Sequence, residues 1–369
     1  MSKRREEIHD VIIIGDDVGA ATAALFTAES GTRVLLIETP RSEFSEPKLD
    51  WIGPRGVEFC RRAGVSAKKI GATEFKECRL HSWDLRRNSL IKEKEYAGWI
   101  VPRAALFTEL AEMAAKKGAQ RDARTIPLSI MLADARVIIR CKTGAEIVGR
   151  ILLIAGAADN PVVPLTNLIP AGHTREVAES LFVEYESPDR TNSLDIVIGA
   201  TRAGRIATII RCEGRVCMRL ITRGGEEPIE KQFAELRSQA LECGLLPAGA
   251  SDQVVYGRSP GGAALDMDTH AGKRTLLFGA AGGFVSAFSH EELYPAMHSG
   301  QLAAETAVAA LKAELTQDRL GEYGATWRSV LADYLRMPNT DLSLLVPLVF
   351  NNEQMAKRVA RAFLLGQPF

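Results

Sequence analysis

Residues 11–38 read VIIIGDDVGAATAALFTAESGTRVLLIE, a pattern typical of a strand, a helix and a second strand in succession. The apolar run Val11–Ile14 predicts a buried parallel strand, because both faces of such a strand are covered. The small residues of Val18–Glu29 predict a helix. A second apolar run, Val34–Ile37, predicts a strand that delivers Glu38 about 20 residues past the glycine turn, where dinucleotide-binding units place the acid that contacts a ribose hydroxyl.

The glycine turn of this unit departs from the dinucleotide-binding pattern at its most sensitive position. The pattern is G-x-G-x-x-G/A, and the chain has Gly15, Asp17 and Ala20 at the patterned positions, with Gly19 beside the last. The second glycine lets a pyrophosphate approach the backbone, and Asp17 stands in its place. Two unit charges ~4 Å apart repel by about 4 kcal/mol at an effective dielectric of about 20, which is about a thousandfold in affinity. The turn therefore predicts both the fold and an obstacle to its ligand.

Asp17 also has a structural interpretation. A carboxylate at the N-terminus of a helix accepts hydrogen bonds from free N–H groups and interacts favourably with the helix dipole. A phosphate group binds the same position for the same reasons. We therefore expect Asp17 to cap the first helix in place of a phosphate and to stabilise a cofactor-free fold.

The composition of the chain excludes several classes of function. Of the 369 residues 46% are apolar and 25% charged, and the formal net charge is zero, so charge favours neither nucleic acid nor an acidic membrane as a partner. The apolar runs are too short to cross a bilayer, and the charged N-terminus lacks an apolar signal segment, which predicts a cytoplasmic protein. The six cysteines form no C-x-x-C pair and the six histidines no H-x-x-x-H pair, which predicts reduced thiols and no metal site.

The order of the predicted elements indicates two interleaved domains and a helical end. A dinucleotide-binding-like domain is predicted for residues 1–172 together with 273–315, and a β-rich domain for 173–272. Residues 316–369 are predicted to be helical. The segment 74–100 is assigned to the first domain, and its joining the β-rich domain is the alternative.

With this architecture the chain resembles the flavoproteins that include geranylgeranyl reductases, para-hydroxybenzoate hydroxylase-like monooxygenases and flavin-dependent halogenases. Besides residues 11–38, three stretches carry the resemblance: VPRAALFTELAEMAAKKGA at 101–119, IAGAADNPVV at 154–163 and LLFGAAGGFVSAFSHEELYPAMHSGQLAAE at 276–305. In the family, the first of these holds an arginine that begins a helix and reaches the FAD phosphates. The second corresponds to a G-A-D-G segment. The third corresponds to a G-D-A-A-G segment and a helix that hold the ribityl chain and the flavin.

The resemblance implies an α/β (α+β) fold. A Rossmann-like FAD/NAD(P)-binding domain of the glutathione reductase type has three layers, two of β-sheet and one of helices (ββα). It is interleaved with a β-sheet substrate domain and followed by a helical C-terminus. FAD is the implied cofactor, and a lipophilic or aromatic small molecule is the implied substrate. No catalytic residue is assigned, because in such enzymes the cofactor carries the hard chemistry. The residues placed at the cofactor are Gly15, Asp17, Gly19, Ala20, Glu38, Arg103, Ala158, Gly279, Ala280, Gly282 and Gly283.

Several positions depart from the pattern of the family that the chain resembles. Glycine is usual where the chain has Asp17, and aspartate is usual where it has Ala158 and Ala280. The reductase branch has G-E-G where residues 290–292 read His-Glu-Glu. We interpret these three residues as the polar first turn of a helix, with contact to a ligand at the flavin end as the alternative. The nucleotide motifs thus keep their turns and lose polar contacts.

Structural explanations compete with cofactor contact at the other positions. Arg103 is either a phosphate ligand or a solvated or salt-bridged arginine at the start of a helix. Glu38 is either a ribose contact or a surface acid. The glycines of residues 279–283 are explained by close backbone packing as well as by a ligand.

Three functional hypotheses follow from the resemblance and its departures. The leading one is a FAD-dependent oxidoreductase of the reductase or monooxygenase type, acting on a lipophilic or aromatic molecule with weakened FAD binding. The alternative is a flavin-free protein of the same fold that binds another ligand or partner or runs a redox-neutral reaction. A third is transient use of reduced flavin supplied by a separate reductase. The apolar stretch LSLLVPLVF at 342–350 is interpreted either as a peripheral membrane contact or as a buried helix.

Overall fold

The computed structural model describes residues 8–38, 46–92, 94–166, 168–169, 177–199, 205–223, 227–248, 253–340 and 342–367. This part of the chain contains two large β-sheets, a small third sheet and helices that cover their faces. The predicted boundary between the first two domains, at residues 172 and 173, lies outside the described residues.

The strands follow one another along the whole chain up to residue 277. They are β1 (Ile8–Ile14), β2 (Val34–Ile37), β3 (Leu49–Ile52), β4 (Thr73–Phe75), β5 (Cys78–Ser82), β6 (Asn88–Ile91), β7 (Gly98–Pro102), β8 (Gln120–Asp122), β9 (Pro127–Leu132), β10 (Val137–Cys141), β11 (Glu146–Ile154), β12 (Ala178–Glu186), β13 (Ser193–Gly199), β14 (Arg205–Cys212), β15 (Arg215–Thr222), β16 (Val255–Ser259), β17 (Ala271–Gly272) and β18 (Thr275–Leu277).

The helices alternate with the strands in the first third of the chain and dominate its end. They are α1 (Val18–Glu29), α2 (Pro54–Arg62), α3 (Ala67–Ile70), α4 (Arg103–Lys116), α5 (Ile229–Glu242), α6 (Leu293–Lys312), α7 (Thr316–Gly321), α8 (Tyr323–Leu335), α9 (Leu342–Val349) and α10 (Glu353–Leu365). Short 3-10 turns lie at Lys94–Tyr96, Val163–Thr166, Ala263–Asp266 and Ala280–Gly282.

The first large sheet is the Rossmann-like half of the molecule. Its main path has the order β17-β18-β11-β1-β2-β8, and β1 runs parallel to both β2 and β11. The β-meander of β9, β10 and β11 joins this sheet through β11. The predicted unit of strand, helix and strand at residues 11–38 is therefore confirmed as β1, α1 and β2.

The alternation of side chains along β1 produces three layers. Val11 and Ile13 share a hydrophobic core with the small residues of α1 and α6. Ile12 and Ile14 point to the opposite face and share a core with Val137 of the meander. The layers are thus helices, parallel sheet and meander, which is the ββα arrangement that the resemblance implies.

The second large sheet has the order β16-β12-β15-β14-β13-β5-β6. Helix α5 packs on one face through Phe233 and Leu236. The opposite face packs against α9, α10 and the small sheet β3-β7-β4. Strand β5 runs parallel to β13 and antiparallel to β6, so part of the segment 74–100 belongs to this second sheet.

Candidate functional site

The turn after β1 is closed too tightly for any residue but glycine at its first position. A Cβ on Gly15 would lie 2.9 Å from the Cβ of Ala20 and 3.1 Å from the carbonyl carbon of Ala155. Asp17 follows in an extended conformation as the N-cap of α1, and its Oδ1 accepts a hydrogen bond of 2.8 Å from the backbone N–H of Ala20. The predicted cap is therefore confirmed.

The second carboxyl oxygen of Asp17 fills the space between two glycines. A Cβ on Gly279 would lie 3.0 Å from Oδ2 of Asp17, and a Cβ on Gly19 would lie 3.3 Å from it. This Oδ2 is buried and has no hydrogen-bond partner within the described ranges. Burial therefore raises the pKa of Asp17 from 3.8 to about 7, and the charges of Asp16 and Glu292 raise it further, against the lowering effect of the Ala20 hydrogen bond.

Arg103 begins α4, as predicted, and its guanidinium is surrounded by carboxylates. Nη1 lies 2.5 Å from Asp50 Oδ2, and Nη2 lies 2.7 Å from Glu292 Oε1 and 2.5 Å from Glu46 Oε2. The side chains of Arg103, Asp50 and Glu292 are largely buried, whereas that of Glu46 is partly exposed. The structure thus places Arg103 in the salt-bridged alternative, and its contact with FAD phosphates stays a prediction.

Glu38 lies at the end of β2, where the Rossmann pattern expects it. Its Oε1 accepts a hydrogen bond of 2.7 Å from Nε of Arg121, one strand away on β8, and lies 2.7 Å from Nη2 of the same guanidinium. Its backbone N–H donates to the carbonyl oxygen of Asp122. The carboxylate is therefore already bound by an arginine of its own sheet.

The loop after β11 is organised by a residue that the sequence interpretation did not select. Asn160 donates from Nδ2 to the carbonyl oxygen of Ala155 and accepts at Oδ1 from the N–H of Val162. Ala158 lies in this loop, half-buried, and its methyl group has no polar atom to offer a ligand. The signal that could have pointed to Asn160 is its place before a proline, which is typical of turns that a side chain stabilises.

The glycine-rich segment after β18 makes close contacts within the protein. The N–H of Gly279 donates to Ser299 Oγ at 3.1 Å, and Ala280 beside it is buried. Gly283 has a φ of +78°, and a Cβ on it would lie 2.5 Å from the backbone nitrogen of Ala264. A Cβ on Gly282 would lie 2.9 Å from the ring of Phe284. Packing therefore requires glycine at 282 and 283 without any ligand.

The prediction that His290, Glu291 and Glu292 form the first turn of a helix is wrong. Helix α6 begins at Leu293 with Glu292 as its N-cap, and His290 has a left-handed φ of +54°. The three residues are buried in the turn that precedes the helix. Four partners distant in sequence hold that turn, and each lies on or next to a different element of the fold.

These four partners lie on β16, at the start of α4, just before α2 and on α8. His290 Nδ1 lies 2.8 Å from Ser259 Oγ on β16, and Glu292 binds Arg103. Glu291 accepts at Oε1 from the N–H of Gly53 at 3.0 Å and at Oε2 from the hydroxyl of Tyr334 on α8. Burial raises the pKa of Glu291 to about 8 and lowers that of His290 well below its usual value.

Little space separates the two large sheets at this turn. A cavity of about 10 Å³ lies between β3, the hairpin of β14 and β15, and residues 289–290, with Asp50, Arg219 and His290 in its lining. Beside it, the Trp51 ring stacks on Phe363 of α10 with centroids 5.3 Å apart, and Phe288 meets Phe363 edge-on at 5.7 Å. The cavity is about the size of one water molecule.

The apolar stretch 342–350 is neither wholly buried nor wholly exposed. In α9 the side chains of Leu345, Val346 and Val349 are buried, whereas Leu344 is 72% and Leu348 52% exposed. No helix among the residues that the structure describes is long and apolar enough to cross a bilayer. Peripheral membrane contact through this helix stays a prediction.

Among the residues that the structure describes, the cysteines and histidines do not gather into a further site. All six cysteines are free thiols, five of them buried, and Cys243 is exposed. No group of three or more His, Cys, Asp and Glu residues within the described ranges is arranged to hold a metal ion.

Curated proteins that are similar to this chain match it over only part of their length. No protein-family model matches it. It is 29% identical over 176 residues to aklavinone 12-hydroxylase DnrF of Streptomyces peucetius, which covers 41% of this chain and 35% of that protein. It is 31% identical over 156 residues to digeranylgeranylglycerophospholipid reductase of Methanocella arvoryzae, which covers 40% of this chain and 38% of the relative. The chain thus matches little more than a third of the length of either relative.

Solved structures match the whole architecture at low sequence identity. A geranylgeranyl bacteriochlorophyll reductase-like protein from Thermoplasma acidophilum superimposes with a TM-score of 0.78 and 17% identity. The superposition covers 98% of this chain and 97% of the Thermoplasma chain. PqsL, a probable FAD-dependent monooxygenase from Pseudomonas aeruginosa, gives a TM-score of 0.70 and 15% identity, covering 96% and 99%. The chain therefore has the Rossmann-type fold of the FAD-dependent oxidoreductases, and it resembles the geranylgeranyl reductase-like and monooxygenase-like proteins of that superfamily.

Proposed function

We propose that this chain is a flavin-free protein on the fold of the FAD-dependent oxidoreductases and that it acts by binding rather than by redox chemistry. The observation that carries the proposal is the carboxyl group of Asp17 inside the glycine turn. It caps α1 at the position where a pyrophosphate would bind, and its second oxygen fills the space beside Gly19 and Gly279.

Charge at this turn opposes an anionic cofactor. Asp16 and Glu292 lie close enough to Asp17 to raise its pKa. An ionised carboxylate ~4 Å from a phosphate charge costs about 4 kcal/mol at an effective dielectric of about 20. One donor of the helix N-terminus, the N–H of Ala20, would help to offset that cost in a nucleotide site, and it already serves Asp17.

The arginine that would neutralise the phosphates is engaged elsewhere. Asp50 and Glu292 are buried with Arg103, and Glu46 adds a third carboxylate. If a diphosphate took the guanidinium, buried carboxylates would lose their counter-charge, which typically costs 3–5 kcal/mol when a buried pair is broken. The residues present therefore do not fit the diphosphate of FAD.

Space at the flavin end supports the same proposal. Sites for drug-sized ligands have volumes of roughly 300–1,000 Å³, whereas the cavity beside Trp51 and His290 has about 10 Å³. Trp51, Phe288 and Phe363 pack together at its side. Ala280, where the family places an aspartate for the ribityl chain, offers no hydrogen bond.

A second candidate is the FAD-dependent enzyme with weak cofactor binding, and one observation favours it. Burial raises the pKa of Asp17 to about 7, so this carboxyl takes up a proton near neutral pH far more readily than an ordinary aspartate does. Protonation removes the charge that opposes the phosphates. In that case a lipophilic or aromatic substrate would lie against the apolar face of β14, where Ile206 and Ile210 point toward the first domain.

The flavin content of the purified protein separates the two candidates. The flavin-free proposal predicts a colourless protein that releases no flavin on denaturation and shows no thermal shift with excess FAD. A yellow protein that releases flavin in stoichiometric amount would overturn it. Thermal shifts that appear only in acidic buffer would favour the second candidate.

A further inference from the structure

The strand β9, at the rim of the first sheet, has an open edge. It pairs with β10 on one side, and within the described ranges no strand lies on its other side. An open strand edge presents unpaired N–H and C=O groups that template pairing with another chain. The 3-10 turn Val163–Thr166 packs against β9, and the open edge does not depend on the proposed function.

The hydrogen bonds of the meander show which backbone groups point outward. Ala133 donates its N–H to the carbonyl oxygen of Arg136 on the β10 side, and Met131 lies opposite Ile138. In an antiparallel pair the hydrogen-bonded positions alternate, so Met131 and Ala133 bond to β10, whereas the N–H and C=O groups of Ile130 and Leu132 point away from it. These four groups form the open edge.

The sequence along this edge lacks the charged residues that usually keep an edge strand from pairing with another chain. From Thr125 to Ala133 the chain contains no charged residue. Large apolar side chains are exposed there: Ile126 at 40%, Leu128 at 56% and Met131 at 51%. A bulge near Arg140 and the ring of Pro127 disturb only the beginning of the strand, which leaves Ile130–Leu132 regular.

We propose that two copies of this chain associate by antiparallel pairing of their β9 strands. An uncharged, apolar edge pairs best with a strand that is also uncharged and apolar. Strand β9 of a second copy is such a strand, and no like charges would repel each other across the pair. Antiparallel self-pairing is two-fold symmetric and therefore closes as a dimer. A charged peptide would find no counter-charge on this strand.

One register uses all four outward backbone groups. Ile130 of each copy lies opposite Leu132 of the other, so two hydrogen-bonded pairs flank the two-fold axis. The axis then passes between the two Met131 residues, which form a non-hydrogen-bonded pair with Cα atoms ~4.5 Å apart. Their exposed side chains lie against each other in the dimer. Because the strand is short, the dimer is reversible and dissociates on dilution.

Sedimentation velocity over a range of concentrations tests the association. We expect a monomer–dimer equilibrium for the wild type and a monomer for Leu128→Lys/Met131→Lys, which brings like charges together across the axis. The matched control is Leu344→Lys/Leu348→Lys on α9, which should dimerise as the wild type does. Circular dichroism shows whether each variant is folded. A wild type that stays monomeric, or a dimer lost only in the α9 variant, would overturn the proposal.

Cysteine cross-linking tests the register in the intact folded chain, without weakening the edge. In a Cys243→Ser background, Met131→Cys should form a reductant-sensitive covalent dimer on mild oxidation, since Cα atoms at the axis lie within disulfide reach. Ser129→Cys, two residues along the same face, is the control and should give no such dimer. Equal cross-linking at both positions, or cross-linking at position 129 alone, would contradict the pairing.

Discussion

Nη2 of Arg103 lies 2.7 Å from Oε1 of Glu292, although 189 residues separate them. The bond connects the start of α4 to the N-cap of α6. Arg103, the candidate phosphate ligand, therefore already has a carboxylate partner within the protein. Asp50 and Glu46 complete the ion cluster around the same guanidinium. This arrangement determines how the site should respond to substitution.

Replacing Arg103 by Met should destabilise the cofactor-free protein by about 3–5 kcal/mol, because buried carboxylates lose their counter-charge. The free energy of unfolding, measured in urea, reports the effect. The matched control is Arg121→Met, which breaks the more exposed pair with Glu38 and should cost about 1 kcal/mol or less. Equal small losses for both variants would show that Arg103 is not held as described.

Replacing Asp17 by Asn should stabilise the protein increasingly as the pH rises. The pKa of Asp17 is about 7 in the fold against 3.8 for an ordinary aspartate, so between these values the folded state binds the additional proton. The stability that this group contributes is therefore lost as the pH rises toward about 7. Asparagine caps a helix as well as aspartate does and carries no charge.

The advantage of the Asn variant over the wild type should grow between about pH 5 and about pH 7, by at most about 1.4 kcal/mol per pH unit. Urea unfolding at several pH values measures it. Asp134→Asn is the control, because a lowered pKa keeps Asp134 ionised throughout that range. A constant difference between wild type and Asp17→Asn would refute the buried, raised pKa.

The double variant Asp17→Gly/Glu292→Gln should gain affinity for ADP. The first change removes the carboxylate from the glycine turn, and the second weakens the hold on Arg103. Removal of one repelling charge is worth up to about a thousandfold. Calorimetric titration of wild type and variant with ADP checks the gain.

FAD should bind this double variant no more tightly than ADP does, because the cavity beside Trp51 stays closed to the flavin ring. Adding Ala280→Asp should leave ADP affinity unchanged, since the resemblance assigns that position to the ribityl chain rather than to the phosphates. A double variant without any gain for ADP would mean that Asp17 does not occupy the diphosphate position.

Replacing Phe363 by Ala should cost about 3–5 kcal/mol in the free energy of unfolding, because its ring is fully buried between Trp51 and Phe288. Val330→Ala, at a side chain that is 45% exposed, is the control and should change stability by about 0.5 kcal/mol or less. Thermal unfolding followed by tryptophan fluorescence measures both. A loss below about 1 kcal/mol would show that α10 is not part of the core at this site.

The local part of the fold could be predicted from the sequence, since it depends on neighbouring residues. The apolar run before Gly15 and the small residues after Val18 determine β1 and α1, and a carboxylate at position 17 has one obvious use as a cap. The resemblance to the flavoprotein family extended the prediction to the interleaved second sheet. The same patterns located Glu38 and Arg103 at the ends of their elements.

The partners of these residues could not be predicted, because they are distant in sequence. Glu291 binds Gly53, 238 residues away, and Arg103 binds Asp50 and Glu292 at separations of 53 and 189 residues. The periodicity of a sequence does not reveal which distant residues pair. An arginine that binds phosphates and an arginine that binds carboxylates therefore look the same in the sequence. The His290–Glu292 segment was misassigned to a helix for this reason: its polar residues are held by tertiary contacts.

We propose that the wild-type chain does not bind FAD, and calorimetric titration of the purified wild-type protein with FAD at mildly alkaline pH tests this proposal. Asp17 is ionised there, Arg103 is held by its carboxylates, and we predict no saturable heat. A one-to-one isotherm with a dissociation constant in the micromolar range or below would contradict the claim and restore the flavoenzyme as the better explanation.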